Sequence, residues 1–234
     1  MALGAGTAAV LAASDPIPRI GGYAGVAAML AASPFYVAHA GCSRAWPEMI
    51  GMAARELTWA QVQALRILGS NAQDDPTQPS RPYMRWEEII AAYYPSHVIL
   101  VDPKSAIDHG AELMAMMNAL PGTPRDHLVC KYFGVSGDAG NTLGWARLAA
   151  DSGYRRWGYF YAADSADFAA YQGRWDILGL DYTADAAHWA RMREYGKPVI
   201  GHVVPNRVAV ITARSKGATG VVASDPTAML TVSD

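Results

Sequence analysis

The sequence predicts an α/β fold, a (β/α)8 barrel of the TIM type in which about seven strands are recognisable. Three observations carry this. Short apolar runs rich in β-branched and aromatic residues alternate with helix-like runs. The alternation repeats roughly every 22 to 30 residues, the length of one strand–helix unit with short connectors. No Gly-rich dinucleotide turn marks an open doubly wound sheet.

The strand candidates in order are Phe35–His39, Val98–Asp102, Leu128–Phe133, Trp157–Tyr161, Ile177–Asp181, Pro198–Val204 and Gly220–Ser224. Most are continuously apolar and bounded by Gly, Pro, Asp or Lys, as expected of parallel strands covered on both faces. The helix candidates lie between them. Thr58 is a potential N-cap for a helix to Leu68, with Leu57, Val62, Leu65 and Leu68 at helical spacing. Arg85–Tyr94 presents Trp86, Ile89 and Ile90. His109–Leu120 carries Leu113, Met116, Met117 and Leu120, its methionines read as core filler. Asn141–Ser152, Ala184–Tyr195 and Arg207–Lys216 are followed by Gly153, Gly196 and Gly217, the residue that best ends a helix. Ser70–Pro82 is polar and Pro-rich and reads as a surface excursion.

Composition agrees. Of 234 residues, 51% are hydrophobic and only 17% charged, so the chain can bury a large core and is not a disordered polymer. Two cysteines, Cys42 and Cys130, exclude a disulfide scaffold. Lys+Arg is 19 against 21 Asp+Glu, leaving no basic excess for nucleic acid. The 43 alanines, and 15 Arg against four Lys, fit a GC-rich coding genome. Residues 1–34 form an apolar Ala/Gly-rich segment ahead of a barrel domain over 35–234. Its longest apolar stretch, from Val26 to Ala32, is broken by Ser33 and Pro34 and is too short to span a bilayer. No Lys or Arg precedes Arg19, so the start lacks the positive region of a signal peptide.

In a barrel of this kind the chemistry sits at the C-terminal ends of the strands. Those ends carry polar residues: His39, Asp102 with Lys104, Lys131, Asp181, His202 with Asn206 beyond it, and Asp225. Each alone has an ordinary structural reading, since a carboxylate there often caps the next helix or pairs with a lysine. Together they point to phosphate chemistry with a metal. Asp102 is a hard oxygen ligand for Mg²⁺ or Ca²⁺. Lys131 is costly to bury without an anionic partner, either a phosphate oxygen or a neighbouring Asp. His39 can act as general acid or base near neutral pH. Zinc spacing, HExxH, a P-loop and GxSxG are all missing.

Several runs then resemble the glycerophosphodiester phosphodiesterases. Tyr36-Val-Ala-His-Ala-Gly-Cys-Ser-Arg-Ala-Trp-Pro-Glu48 resembles that family's opening strand, which ends in His-Arg-Gly before Pro-Glu-Asn. Val98-Ile-Leu-Val-Asp-Pro-Lys104 resembles its Glu-Ile-Lys strand, and Lys131-Tyr-Phe133 falls where it has Ser-Phe. Ile177-Leu-Gly-Leu-Asp-Tyr182 resembles its sixth strand, and Lys197–Asn206 lies where it often has Trp-Thr-Val-Asn. Gly217-Ala-Thr-Gly-Val-Val-Ala-Ser-Asp-Pro226 resembles its closing Gly-Val-Asp-Gly-Ile-Ile-Thr-Asp-Pro.

The resemblance implies metal-dependent hydrolysis of a small-molecule glycerophosphodiester to an alcohol and glycerol 3-phosphate, with Mg²⁺ or Ca²⁺ as cofactor. His39 matches the first catalytic histidine and Lys104 the lysine beside the phosphate. Asp102 matches a metal-binding Glu, one methylene shorter, and Glu48 is the second expected metal ligand. Lys131 and His202 are expected to bind substrate. There are departures. Ala40 stands where the family has a phosphate-binding Arg. Between Glu48 and the helix from Thr58, no Glu-x-Asp strand and no His-Asp occur. About 45 residues, a strand–helix unit and more, are missing by that comparison. Either they belong to the protein outside this sequence, or they are deleted, or another segment such as Met1–Ser33 replaces them. A barrel opened in this way needs its edges covered, by the chain itself or by a subunit of an oligomer or larger assembly. The alternative function is a silent barrel serving as a binding or structural component.

Overall fold

Each apolar run between Phe35 and Ala223 pairs with its neighbours in parallel, so every strand is returned to the same end by a helix on the outside. The computed structural model describes residues 23–32, 35–38, 58–64, 83–103, 106–135 and 141–224. In chain order they form α1 (Val26–Ala31), β1 (Phe35–Ala38), α2 (Trp59–Ala64), α3 (Trp86–Tyr93), β2 (Ile99–Val101) and α4 (Ala106–Asn118). Then come α5 (Pro124–His127), β3 (Leu128–Phe133), α6 (Asn141–Asp151), β4 (Arg155–Phe160) and α7 (Phe168–Tyr171). The chain continues through β5 (Ile177–Asp181), α8 (Ala186–Glu194), β6 (Val199–Val204), α9 (Arg207–Ser215) and β7 (Gly220–Ala223). Single 3₁₀ turns at Ala162–Asp164 and Gln172–Arg174 flank α7.

The sheet order is β1-β7-β6-β5-β4-β3-β2. First and last strands are therefore neighbours, as in a closed barrel, while β1 and β2 are the two edges. Among the described residues no strand stands between them, so this is an incomplete (β/α)8 barrel of seven strands. Among the described residues the gap in the sheet order falls between the first and second strands, the stretch in which the family resemblance lacks a strand.

Period-two alternation divides the side chains between two cores. One face turns inward. Phe35, Val129, Trp157, Ile177, Ile200 and Val222 come from six strands and form one buried cluster, the barrel interior. Val26 and Met29 of α1 join it, so α1 closes the N-terminal end of the barrel. Gly25 allows this approach, because a Cβ there would lie 2.9 Å from the Asp126 carbonyl oxygen. The other face meets the helices. Leu128 and Cys130 pack against Met114, Met117, Trp145 and Ala149. On the far side Leu178, Leu180, Val199 and Val221 pack against Trp175, Trp189, Met192 and Ala213. Met117 is core filler as expected, whereas Met116 is 38% exposed. Gly153, Gly196 and Gly217 end α6, α8 and α9 with φ of 76°, 68° and 104°, a backbone conformation that only glycine adopts without strain.

β4 begins two residues before the expected Trp157. Arg155 and Arg156 pair with Val129 and Cys130, so two arginines occupy strand positions. Arg156 is held there by Asp176, which accepts its backbone N–H at 2.9 Å, Nε at 2.9 Å and the terminal guanidinium nitrogen at 2.7 Å. Burial alone would raise the Asp176 carboxyl. The hydrogen bonds and charge of Arg156, with Arg155 adding to them, outweigh it and hold the carboxyl below the usual carboxylate range. A carboxyl lowered in the folded state stabilises the fold above its unfolded value and loses that contribution as pH falls through its folded value. Thermal melts below about pH 4 are therefore expected to show a stability loss of ~1 kcal/mol from this group, absent in Arg156→Met. An identical acid limb in both proteins would refute the assignment.

No helix among the described residues is long and apolar enough to cross a membrane. Ser70–Pro82, residues 1–22, Ala40, Cys42 and Asp225 lie outside the described residues.

Candidate functional site

Alternation from the interior cluster fixes which polar residues share a space. Leu100, Val129, Trp157, Ile177 and Ile200 belong to that cluster. Residues two places further along face the same way, one layer nearer the C-terminal ends. They are Asp102, Lys131, Tyr159, Gly179 and His202. Two of the three candidates within the described residues, Asp102 and Lys131, meet directly. Lys131 Nζ donates to Asp102 Oδ2 at 2.5 Å, with side-chain exposures of 16% and 17%. The ammonium also stands 4.6 Å from the Tyr159 ring centroid and 5.2 Å from that of Trp157. Both ring faces carry negative potential, so they add to the attraction of the carboxylate.

His202, the third, is 6% exposed. Its Nε2 lies 3.0 Å from the Phe160 carbonyl oxygen. A carbonyl only accepts, so Nε2 carries the hydrogen. The ring meets Tyr159 and Tyr161 edge-on, with centroids 5.7 Å and 5.4 Å away. Phe133 packs against both tyrosines, so an aromatic wall from β3, β4 and β6 lines this end. Gly179 makes the room: a Cβ there would sit 2.7 Å from Trp157 Nε1 and 3.2 Å from His202 Cδ2.

Other polar strand ends have structural work. Asp181 accepts the Ala162 N–H at 2.7 Å and the Thr183 hydroxyl at 3.1 Å, bracing the turn after β4. Asn206 caps α9 by accepting the Ala209 N–H at 3.0 Å. Cys130 is buried, and burial pushes its thiol up to about 12, so it stays a thiol near neutral pH. The expected catalytic pair His39 and Lys104, and the expected metal ligand Glu48, lie outside the described residues. Sequence reasoning missed Trp157 and Tyr159. Their signal is present in Trp-Gly-Tyr-Phe-Tyr, where every second residue from 157 to 161 is aromatic.

The described residues do not by themselves fit a divalent cation. Among them no group of three His, Cys, Asp or Glu side chains could hold a metal ion. Asp102, the expected ligand, already has an ammonium against its carboxylate.

No family model matches the chain, and no curated protein matches it. Solved structures do. A protein from Silicibacter pomeroyi assigned as a glycerophosphoryl diester phosphodiesterase aligns over 76% of this chain and 69% of its own, at 14% identity and a TM-score of 0.52. A phosphodiesterase from Oleispira antarctica, in complex with the product sn-glycerol-3-phosphate, aligns over 74% and 69%, at 14% identity and a TM-score of 0.54. A further protein assigned as a glycerophosphoryl diester phosphodiesterase, from Agrobacterium tumefaciens, aligns over 87% and 88%, at 16% identity and a TM-score of 0.53. At these identities the likeness is one of fold.

Proposed function

We propose that this chain, having the fold of the glycerophosphoryl diester phosphodiesterases, takes a glycerophosphodiester at the C-terminal mouth of its barrel and cleaves it to an alcohol and glycerol 3-phosphate. The observation that carries this reading is the Lys131–Asp102 pair. It puts an ammonium, held by a carboxylate, on the inner face, beside the strand ends where barrels of this type bind their substrates. The product held by the Oleispira phosphodiesterase carries a phosphate, a group that an ammonium binds.

In this reading Lys131 binds a phosphate oxygen, and Asp102 with the rings of Tyr159 and Trp157 keeps the ammonium in place. His202, oriented by the Phe160 carbonyl, borders the same space as a polar contact for substrate. The aromatic wall of Phe133, Tyr159 and Tyr161 narrows the mouth and excludes water from one side of the ester. Proton transfer falls to His39, the acid–base residue that the family resemblance assigns. A typical general acid or base contributes 10²–10⁴-fold, so His39→Ala is expected to reduce turnover by roughly that factor.

The second reading, a silent barrel that binds rather than cleaves, is favoured by the lack of a three-ligand cluster among the described residues. Glycerophosphocholine incubated with the full chain and Mg²⁺ or Ca²⁺, with glycerol 3-phosphate assayed, separates the two. Release that falls in His39→Ala supports the hydrolase. No release from the folded chain overturns it and leaves the binding reading.

A further inference from the structure

We infer that in this chain the Lys131 ammonium takes the place of the divalent cation at Asp102, so that the phosphate-bearing ligand is bound without a metal. The inference rests on the proposed function only in placing a phosphate at this mouth.

Three observations carry it. First, Asp102 is the carboxylate that matches a metal ligand by resemblance, and its Oδ2 lies 2.5 Å from Lys131 Nζ. A cation is thus already seated on that carboxylate. A divalent ion on the same oxygen would have to displace the ammonium or stand beside it, and like charges at that spacing repel. Second, the ammonium is built in. It comes from the middle of β3, faces the barrel interior, and stands over the rings of Tyr159 and Trp157 at 4.6 Å and 5.2 Å. Those rings suit an organic cation on a side chain, whereas a divalent ion needs oxygen ligands. Third, the pair is placed for a ligand and not only for the fold. With side chains 16% and 17% exposed, it is partly open yet mostly removed from water, where an ammonium that exchanges its carboxylate for a phosphate binds it far more strongly than in bulk solvent. A pair kept for stability alone is usually no better than an apolar pair of similar volume.

The geometry makes an unusual prediction about Asp102. As a metal ligand it would help to hold the phosphate, and its neutral amide would weaken binding. As the counter-ion of Lys131 it competes with the phosphate for the ammonium, and its neutral amide would strengthen binding or leave it unchanged. The test is calorimetric titration of the full chain with sn-glycerol 3-phosphate and, separately, inorganic phosphate. Each is run in EDTA and again with added Mg²⁺ or Ca²⁺.

Four results are expected. Wild-type affinity is the same within twofold with EDTA and with metal. Lys131→Met weakens binding at least tenfold. Asp102→Asn binds as tightly as wild type or several-fold tighter. The double variant Lys131→Met/Asp102→Asn, which leaves no unpaired charge and guards against a fold defect in the single variant, shows the same tenfold loss as Lys131→Met. Binding that needs Mg²⁺ or Ca²⁺, equal losses in Asp102→Asn and Lys131→Met, or no anion binding by the wild type would each overturn the inference. The two readings fail separately. Metal-free anion binding without hydrolysis of glycerophosphocholine keeps this inference and removes the hydrolase. Hydrolysis abolished by EDTA keeps the hydrolase and removes this inference.

Discussion

Trp157→Ala is expected to lower the unfolding free energy by about 4 kcal/mol, within the ~3–5 kcal/mol usual for a fully buried aromatic cut to a methyl. Trp157 has no exposed surface, and it shares the interior cluster with Phe35, Val129, Ile177, Ile200 and Val222. It stands on β4, an inner strand flanked by β5 and β3. The strands around it cannot collapse into the vacated volume without breaking their ladders, so the cavity persists. Trp157→Phe is expected to cost less than about 2 kcal/mol, since it keeps a ring there. The indole Nε1 is buried and finds no hydrogen-bond partner among the described residues, so no bond is lost in that exchange. Urea denaturation followed by circular dichroism measures both. A loss under about 1 kcal/mol for the alanine variant would show that the interior is not packed around this ring.

Lys131→Met is expected to cost about 3 kcal/mol, because it leaves the Asp102 carboxylate mostly buried without its counter-charge. The size of the effect comes from the stranded charge rather than from the lost contact. Adding Asp102→Asn to the same chain should therefore recover most of the stability, to within ~1 kcal/mol of wild type. A double-mutant cycle on chemical denaturation reads the coupling directly. Additive losses would show that the two side chains act independently and that the close approach in the structure has no energetic weight.

Much of this arrangement is legible in the chain. Leu128–Phe133 and Ile177–Asp181 stand out as strands at their observed bounds, because both are short, mainly apolar runs, interrupted only by Lys131 in the first and closed by Asp181 in the second. The one-turn helices Pro124–His127 and Phe168–Tyr171 are not legible, being too short for a helical period to register. In the site, Asp102 and Lys131 show themselves separately as polar residues on strand-like runs. That they partner each other does not show. It depends on β2 and β3 lying side by side in a fixed register, and Asp102 is 29 positions from Lys131. Of the two alternatives for Lys131, a phosphate oxygen or a neighbouring Asp, that register supplies the Asp. Asp181 and Asn206 both resolve toward structural work, Asn206 as a local cap and Asp181 across two strand ends. Asn206 precedes the helix whose first N–H groups need an acceptor, whereas Asp181 reaches across to the Ala162 N–H in the turn after β4.

The adjacency of the first and last strands also governs when the sheet can be completed. Phe35 pairs with Gly220, whereas Leu178 pairs with Val199. Closing the longer connection, about 185 positions against about 21, costs roughly 2 kcal/mol more in chain entropy. The inner strands can assemble from near-neighbour contacts as they are made, but β1 must wait for β7, which follows the other six strands in the chain. Throughout that interval the rim of β1 that meets β7 is unsatisfied, and the first described strand is the last of the seven to pair.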